Sequence, residues 1–419
     1  MPRILIVGAS IAGLSVAALM KKSNLHNILV VDPRAGNYTR PGVLPDISDV
    51  LKVFPDLPKG LSSRNSIKHL ERRLFEQSLK LHTPMEQSQF IGFEEGIPVI
   101  QNTDGIQKRL DGVQYVIDCT GQKRAVFQAV NAAQASSVIQ VPHSTQFIAQ
   151  INPPKTYTPP SEDNLQTASE ALDYIKLQKC RELGWPHFWP PAINPLILHA
   201  EKAKMIYYGD CPPGLNEEQL ELWVKNLLPR GNELCRAKTV SKAGAYKPNF
   251  NTFDIQSTTI DQVVHTSKTH PTIIAAGDCI GPFDYRLAVG VSLTLRRAVA
   301  LLGCFEYRDS TVPSLFGERT TTRLDFNAEQ YTQVITHSVA EQVQQLEAHY
   351  RTLQVTNARK EQYLEMGCQA VLRHDQTPER RQCLELLLRD ILTAKEKRSR
   401  SKVRTEESCP DLPVSSPSM

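Results

Sequence analysis

Several kinds of signal are scarce in this sequence, and each gap excludes something. The nine cysteines (Cys119, Cys180, Cys211, Cys235, Cys279, Cys304, Cys368, Cys383 and Cys409) are scattered and contain no CxxC pair. An odd, dispersed set of thiols argues against a disulfide framework or structural zinc, and for a reducing compartment. There is no run of eighteen uncharged apolar residues; the nearest, Leu287 to Phe305, is broken by Arg296 and Arg297, so no transmembrane helix is expected. Charge of one sign is lacking too. The 48 Lys and Arg against 44 Asp and Glu leave +4, too small a bias to imply nucleic acid. The histidines, His26, His69 and His82 among them, have no ligand spacing, so no metal is expected. No repeat recurs at a fixed period. Met1 to Gly13 has an apolar run that ends at a turn without a cleavage-type segment, which points to a cytoplasmic protein rather than a secreted one.

With 41% hydrophobic and 22% charged residues over 419 positions, the composition is that of a soluble globular protein of two or three domains. Arg3 to Val7 is a short apolar run of the kind that a parallel strand buried on both faces requires. Gly8-Ala9-Ser10-Ile11-Ala12-Gly13 follows, then helix formers from Leu14 to Lys22. A second apolar run, Ile28 to Val31, ends on Asp32. This is a βαβ unit. Residues 33–63, rich in Pro and Gly, read as loop. Ile67, Leu70, Leu74 and Leu81 share one face of a helix, and short strands follow near 90–93 and 97–100. Gln114 to Ile117 is another buried-strand run leading to Asp118-Cys-Thr-Gly121. Residues 131–255 change texture, with alternation, many prolines and the cluster Trp185, His187, Phe188, Trp189; Met205 to Tyr208 reads as a strand and Glu217 to Leu228 as a helix. Thr272 to Ala276 restores the buried-strand pattern and feeds Gly277-Asp278, with a helix over 292–302. Beyond residue 325 the spacing is helical.

The chemistry is concentrated in the turn Gly8-x-Ser10-x-x-Gly13. A dinucleotide fingerprint needs a tight turn at its first glycine, close backbone approach to pyrophosphate at its second, and close helix–strand packing at its third. The helix start then offers N–H groups and partial positive charge to phosphates. Ser10 replaces the second glycine, and its hydroxyl can itself donate to phosphate. Asp32, nineteen residues beyond Gly13, stands where a carboxylate accepts from a ribose diol. Arg34 and Arg40 are candidate phosphate contacts or solvated loop residues.

Gly277-Asp278-Cys-Ile-Gly-Pro-Phe-Asp-Tyr285-Arg-Leu-Ala288-Val-Gly290-Val-Ser292 resembles the motif GDxxxxxxPxxGxGxN of the FAD-dependent aromatic hydroxylases, the p-hydroxybenzoate hydroxylase-like flavoproteins. Gly277, Asp278 and Gly290 match, while Tyr285, Ala288 and Ser292 stand where Pro, Gly and Asn are usual. The resemblance implies an Asp278 carboxylate bonded to the ribityl chain and a helix start near Ser292 lying against the isoalloxazine. Val116 to Val126 occupies the place of that family's GADGxxSxVR. Gly121 and Val126 match; Thr120 replaces the Asp and Arg124 the Ser. Lys123 and Arg124 add cations that could receive the phosphate of NADPH, or else are solvated turn residues. Arg64 is a weaker match to a pyrophosphate-contacting arginine.

The resemblance therefore implies an α/β flavoprotein. Its Rossmann-like FAD-binding domain, a parallel sheet flanked by helices, is assembled from residues 1–130 and 256–310. A mixed-sheet substrate domain is inserted at 131–255, a helical C-terminal extension follows at 311–394, and 395–419 form a disordered basic tail. The cofactor-binding set is Gly8, Ser10, Ile11, Ala12, Gly13, Asp32, Arg34, Thr120, Gly121, Gly277, Asp278, Gly290 and Ser292. The implied activity is monooxygenation of a small aromatic or polycyclic substrate through a flavin C4a-hydroperoxide, with non-covalent FAD and with NAD(P)H as electron donor. A reductase or dehydrogenase of the same fold, and a non-catalytic interaction protein acting through the helical extension, remain as alternatives. Trp185, His187 and Trp189 line a pocket or form a satellite core. Cys279 is a buried filler or a redox thiol.

Overall fold

The computed structural model describes residues 3–25, 27–39, 43–44, 47–57, 65–137, 139–141, 144–152, 174–199, 204–228, 233–234, 236–240, 246–248, 250–255, 257–281, 290–314, 317–373 and 378–407. Arg40, Arg64, Tyr285 and Ala288 lie outside them. The chain divides into two compact units. The first comprises Met1–Ser144, Leu196–His199 and Asp254–Tyr350; the second comprises Thr145–Pro195, Ala200–Phe253 and Arg351–Met419.

The first unit is built on β1 (Ile4–Val7), α1 (Ile11–Lys22), β2 (Ile28–Val31), α2 (Ser48–Val53), α3 (Ile67–Lys80), β3 (Met85–Glu86), β4 (Tyr115–Asp118), α4 (Ala125–Ala129), β5 (Val264–His265), β6 (Thr272–Ala275), α5 (Gly290–Leu302) and the part of α6 (Ala328–Leu372) up to Tyr350, the rest of that helix belonging to the second unit. Its six strands lie in the order β5-β6-β4-β1-β2-β3. All neighbours are parallel except the edge pair β5–β6. Every residue of β1 and β2 is buried, as expected where a parallel sheet is covered on both faces. The chain passes from β1 to β2 on one side and later places β4 on the other, so the order reverses at β1. Crevices at such a reversal, outside the carboxyl ends of the strands, are where open α/β sheets bind ligands. A separate antiparallel sheet is formed by Ser88–Glu94, Ile97–Asn102 and Gln107–Arg109.

Three expectations need correction. Residues 33–63 are not all loop: α2 lies within them, and Ile47, Val50, Phe54 and Leu57 are buried at three- and four-residue spacing. The prolines and glycines around it masked this short apolar period. The stretch 311–394 does not begin as helix. Phe305–Ser314 and Gly317–Phe326 pair as an antiparallel hairpin, consistent with its threonine-rich strands. Helix α6 starts only after Asn327, whose side chain accepts from the Gln330 N–H at 3.0 Å. Nor is 395–419 wholly a tail, because the helix Pro378–Glu407 runs through the basic segment. Arg398 pairs with Glu361 there and Lys395 with Glu365, so two of the basic residues find partners on the second-unit part of α6. Residues 408–419 lie outside the described set.

In the second unit, Thr145–Asn152 pairs antiparallel with Lys204–Asp210 and with Glu233–Leu234. The helix Glu217–Leu227 opens with a capping box between Asn216 and Gln219 and buries Leu220, Trp223, Val224 and Leu227. Trp185 lies 5.8 Å from Trp223, centroid to centroid, and its indole N–H donates to the Trp189 carbonyl at 2.7 Å; His187 stacks on Trp189 at 4.2 Å. The aromatic cluster thus packs as a satellite core. Among the described residues, no helix is long and apolar enough to cross a membrane.

Candidate functional site

The residues singled out in the sequence converge at the carboxyl ends of four adjacent strands. Val7 is in register with Val31 and with Asp118, and Asp118 with Ala275. The turns that follow these strands carry Gly8–Gly13, Asp32–Arg34, Thr120–Gly121 and Gly277–Asp278. They form one rim although they are spread over 270 positions of the sequence.

Close approach explains the glycines. A Cβ on Gly13 would stand 1.8 Å from the Gly8 carbonyl oxygen, so only glycine lets α1 start this near β1. Gly8 has φ +103°, and a Cβ there would meet the Cys119 carbonyl at 2.6 Å. Gly277 has φ +59°, and its Cβ would lie 2.5 Å from the Ala12 side chain. The Gly-Asp turn is therefore seated directly on the first turn of α1. Ser10 occupies the N-cap position of α1 but makes no side-chain cap bond, and no acidic residue stands in that first turn. The opening N–H groups of a helix have no intrahelical partners, so Ser10, Ile11, Ala12 and Gly13 present donors and a small-residue surface together. That is what a pyrophosphate requires. The cradle fits the phosphates of a dinucleotide cofactor.

Asp32 is buried at the end of β2. Its Oδ2 accepts from the Ala9 N–H at 2.8 Å and from the Arg34 guanidinium at 3.2 Å; its Oδ1 accepts from the Arg34 N–H at 2.7 Å and from Arg34 Nε at 3.3 Å. The carboxylate thus braces the glycine loop from behind, and half-exposed Arg34 is committed to it. The pairing with Asp32 raises the Arg34 pKa against the lowering effect of burial. Behind this corner lies Tyr38, fully buried and edge-on to Phe75, with its carbonyl accepting from Arg72 at 3.3 Å.

The Asp118–Gly121 turn is arranged differently from expectation. The Thr120 hydroxyl donates to Asp118 at 2.6 Å and accepts from the Ala125 N–H at 2.8 Å. It acts as a cap for α4. Arg124 does not point outward to meet a nucleotide phosphate: it is 8% exposed and its Nε donates to the Cys279 carbonyl at 2.9 Å. The backbone at Arg124 is left-handed, with φ 46°, and its Nη2 is buried without a hydrogen-bond partner. Lys123 remains exposed. Gly121, with φ +70°, faces Asp278; a Cβ on Gly121 would lie 3.9 Å from the Asp278 Cβ.

Asp278 is exposed at the rim, between buried Gly277 and buried Cys279. Burial pulls the nearby Arg297 down to about 10, against the pull of Tyr331 and Asp278, so it stays cationic at neutral pH. Tyr331, on α6, is wholly buried and donates to the Ala275 carbonyl at 2.7 Å. This bond ties the end of β6, just before the Gly-Asp turn, to a helix assigned in the sequence to an extension. Cys279 is fully buried and burial holds its thiol well above its ordinary value, which fits a packing role rather than a redox thiol. Gly290 opens α5, and Ser292 hydrogen-bonds the Asp49 carboxylate of α2, the first cause of that carboxyl's lowered pKa, ahead of Lys52. The approach to α5, residues 282–289, lies outside the described residues. Asp118 and Tyr331 were missed from sequence. The only signal for Asp118 was an acidic residue closing an otherwise apolar strand, and Tyr331 offered none.

No protein-family model and no curated protein matches the chain. Solved structures do share its architecture. The flavin-dependent monooxygenase PieE, in complex with FAD and substrate, superposes with TM-score 0.53 over 94% of this chain and 72% of its own, at 13% identity. The Diels-Alderase PyrE3, from the biosynthetic pathway of pyrroindomycins, does so with TM-score 0.50 over 85% and 76%, at 13% identity. A triple mutant of the flavin-dependent brominase Bmp2 gives TM-score 0.50 over 96% and 100%, at 10% identity. The chain spans 62% of the length of BexE, studied for oxidation during BE-7585A biosynthesis. At these identities the likeness speaks for architecture alone. The chain shares the fold of the flavin-dependent monooxygenase PieE.

Proposed function

We propose that this protein is a monooxygenase that holds FAD non-covalently and inserts one oxygen atom into a small organic substrate. One observation carries the reading: the glycine loop, Asp32, Gly121 and Gly277–Asp278 come to a single rim, with Gly8, Gly13 and Gly277 at contacts that no side chain would allow. Ser10 and the opening N–H groups of α1 would hold the pyrophosphate. Asp32 would take the adenosine ribose, and Asp278 the ribityl chain. When bound, reduced flavin supplies the activation of dioxygen that oxygen transfer requires. The chain's own task is to bind and orient the substrate beside it and to exclude water. A cytoplasmic location and NAD(P)H as donor belong to the same proposal. The Nε of Arg124 is bonded to the Cys279 carbonyl while its Nη2 is buried without a hydrogen-bond partner, and Lys123 beside it is exposed.

The test is a visible spectrum of the purified protein with identification of the released cofactor, then anaerobic mixing with NADPH or NADH, and turnover under labelled dioxygen. Bound FAD and one labelled oxygen in the product support the proposal. Protein that stays colourless after incubation with FAD overturns it. Flavin that only a separate reductase bleaches would remove NAD(P)H while leaving the oxygenase reading in place.

A further inference from the structure

We infer that Arg124 is a positioning residue of this rim: its buried guanidinium holds the Gly277–Cys279 turn at the Cys279 carbonyl and so fixes where Asp278 stands. The inference rests on reading the rim as the FAD site.

Backbone bonds fasten the two ends of that turn. Before it, the Ala276 N–H donates to the Asp118 carbonyl at 3.0 Å; after it, the Ile280 carbonyl accepts from the Ile260 N–H at 2.8 Å and from the Thr259 hydroxyl at 3.2 Å. Between those ends Asp278 stands exposed at the rim. Arg124 supplies the bond in the middle, where its Nε donates to the Cys279 carbonyl at 2.9 Å. A bond from a charged donor is about twice as strong as a neutral one. Two features set this side chain apart from a solvated turn arginine. The bond to Cys279 is the one hydrogen bond that its side chain makes among the described residues, and Nη2 is buried without a partner. Burying a cation on so few acceptors is costly, and the Gly-Asp turn is what that burial serves. The backbone at Arg124 is also left-handed, φ 46° and ψ 43°, a conformation disfavoured for any residue with a Cβ. It is pinned there from both sides. The Asp118 carboxylate accepts from the Thr120 N–H at 2.9 Å before it, and from the Val126 and Phe127 N–H groups at 3.0 and 3.3 Å after it. The Arg124 N–H itself donates to the Gly121 carbonyl at 2.9 Å. A charged donor on a fixed base thus grips the residue immediately after Asp278.

Side-chain shape separates the bond from the charge. In Arg124→Gln the amide nitrogen stands where Nε stood, so the bond survives without the charge. Arg124→Met puts a methyl group at that place. Arg124→Lys keeps the charge but puts a methylene there. Hydrogen exchange of the full-length apoprotein is followed over residues 276–281, and FAD and ADP are titrated separately; ADP carries the adenosine and phosphates but no ribityl chain. Arg124→Met and Arg124→Lys should each speed exchange in that segment about tenfold without altering β1 or α1. They should weaken FAD about tenfold and leave ADP affinity unchanged. Arg124→Gln, with a neutral bond about half as strong, should lose only about threefold in exchange and in FAD affinity. Arg124→Gln as impaired as Arg124→Met, Arg124→Lys equal to wild type, ADP weakened as much as FAD, or faster exchange across the whole unit would overturn the inference. If Arg124→Met does not fold, the contrast between Arg124→Gln and Arg124→Lys decides. If wild type binds no FAD, the cofactor reading falls, and the exchange pattern alone upholds or overturns the hold of Arg124 on the turn.

Discussion

Replacing Asp32 with Asn tests the corner where cofactor binding and stability meet. The amide keeps the shape but can accept at only one of its two positions. With its NH2 group at Oδ1 it faces the Arg34 N–H and Nε; at Oδ2 it faces the Ala9 N–H and the Arg34 guanidinium. Two of the four bonds become donor-to-donor contacts in either orientation. A hydrogen bond to a charged group is worth about 1.5–3 kcal/mol, and the half-exposed guanidinium contributes about 0–1 kcal/mol. The buried backbone bond therefore dominates, and the apoprotein should lose about 2 kcal/mol. For a unit of this size that is a fall of about 4–8 °C in melting temperature. FAD affinity should fall roughly ten- to hundredfold. Arg34→Ala is the counter-test. The ribose needs the acceptor sites that Arg34 occupies, so removing the guanidinium should leave FAD affinity unchanged or raise it up to about fivefold. Calorimetry and titration of apoprotein read both. Arg34→Ala weakening FAD as much as Asp32→Asn would refute the argument, since Arg34 would then touch the nucleotide itself.

Other expectations follow from single contacts. Gly277→Ala must relieve a Cβ contact of 2.5 Å with Ala12 and a positive φ; denaturant unfolding should show a loss of about 2–4 kcal/mol, and a loss below about 0.5 kcal/mol would mean that the turn moves freely. Tyr331→Phe strands the Ala275 carbonyl, and the same assay should record about 1–3 kcal/mol. His265 has its pKa lowered by burial first and by neighbouring His270 second, with ring centroids 5.2 Å apart. Its contribution to stability is therefore present above the ordinary imidazole value of about 6.5 and is lost as pH falls through the lower folded value. Melting curves from neutral pH downward should decline less steeply in His265→Gln; parallel curves would remove His265 from the effect.

The elements that sequence alone revealed obey short-range rules. β1 and β2 are unbroken apolar runs, and the glycine spacing of α1's entry encodes a steric demand visible within six residues. Ser66, which accepts from the His69 N–H, marks the start of α3 next to its apolar face. What escaped depends on distant partners. Arg124 reads as a solvated or ligand-binding cation until its acceptor, 155 residues away, is known. Thr120 is a local case: its hydroxyl is engaged by Asp118 and Ala125, two and five residues away, a pairing that only the shape of the turn reveals. α2 was hidden by the prolines and glycines around it. The basic helix ending at Glu407 was hidden because its counter-charges lie on another helix.

The pairing of β4 with β6 also sets a schedule for synthesis. Tyr115 finds its neighbour Thr272 only after roughly 150 further residues have been made, which at about 5–20 residues per second takes on the order of ten to thirty seconds. During that interval β4, paired with β1 on one side only, leaves the ribosome with its other edge open and a buried-type sequence. Such edges invite pairing with other chains. Cells making this protein should therefore depend on chaperone protection of the nascent N-terminal half, and slow stretches of translation before residue 272 should raise the aggregated fraction.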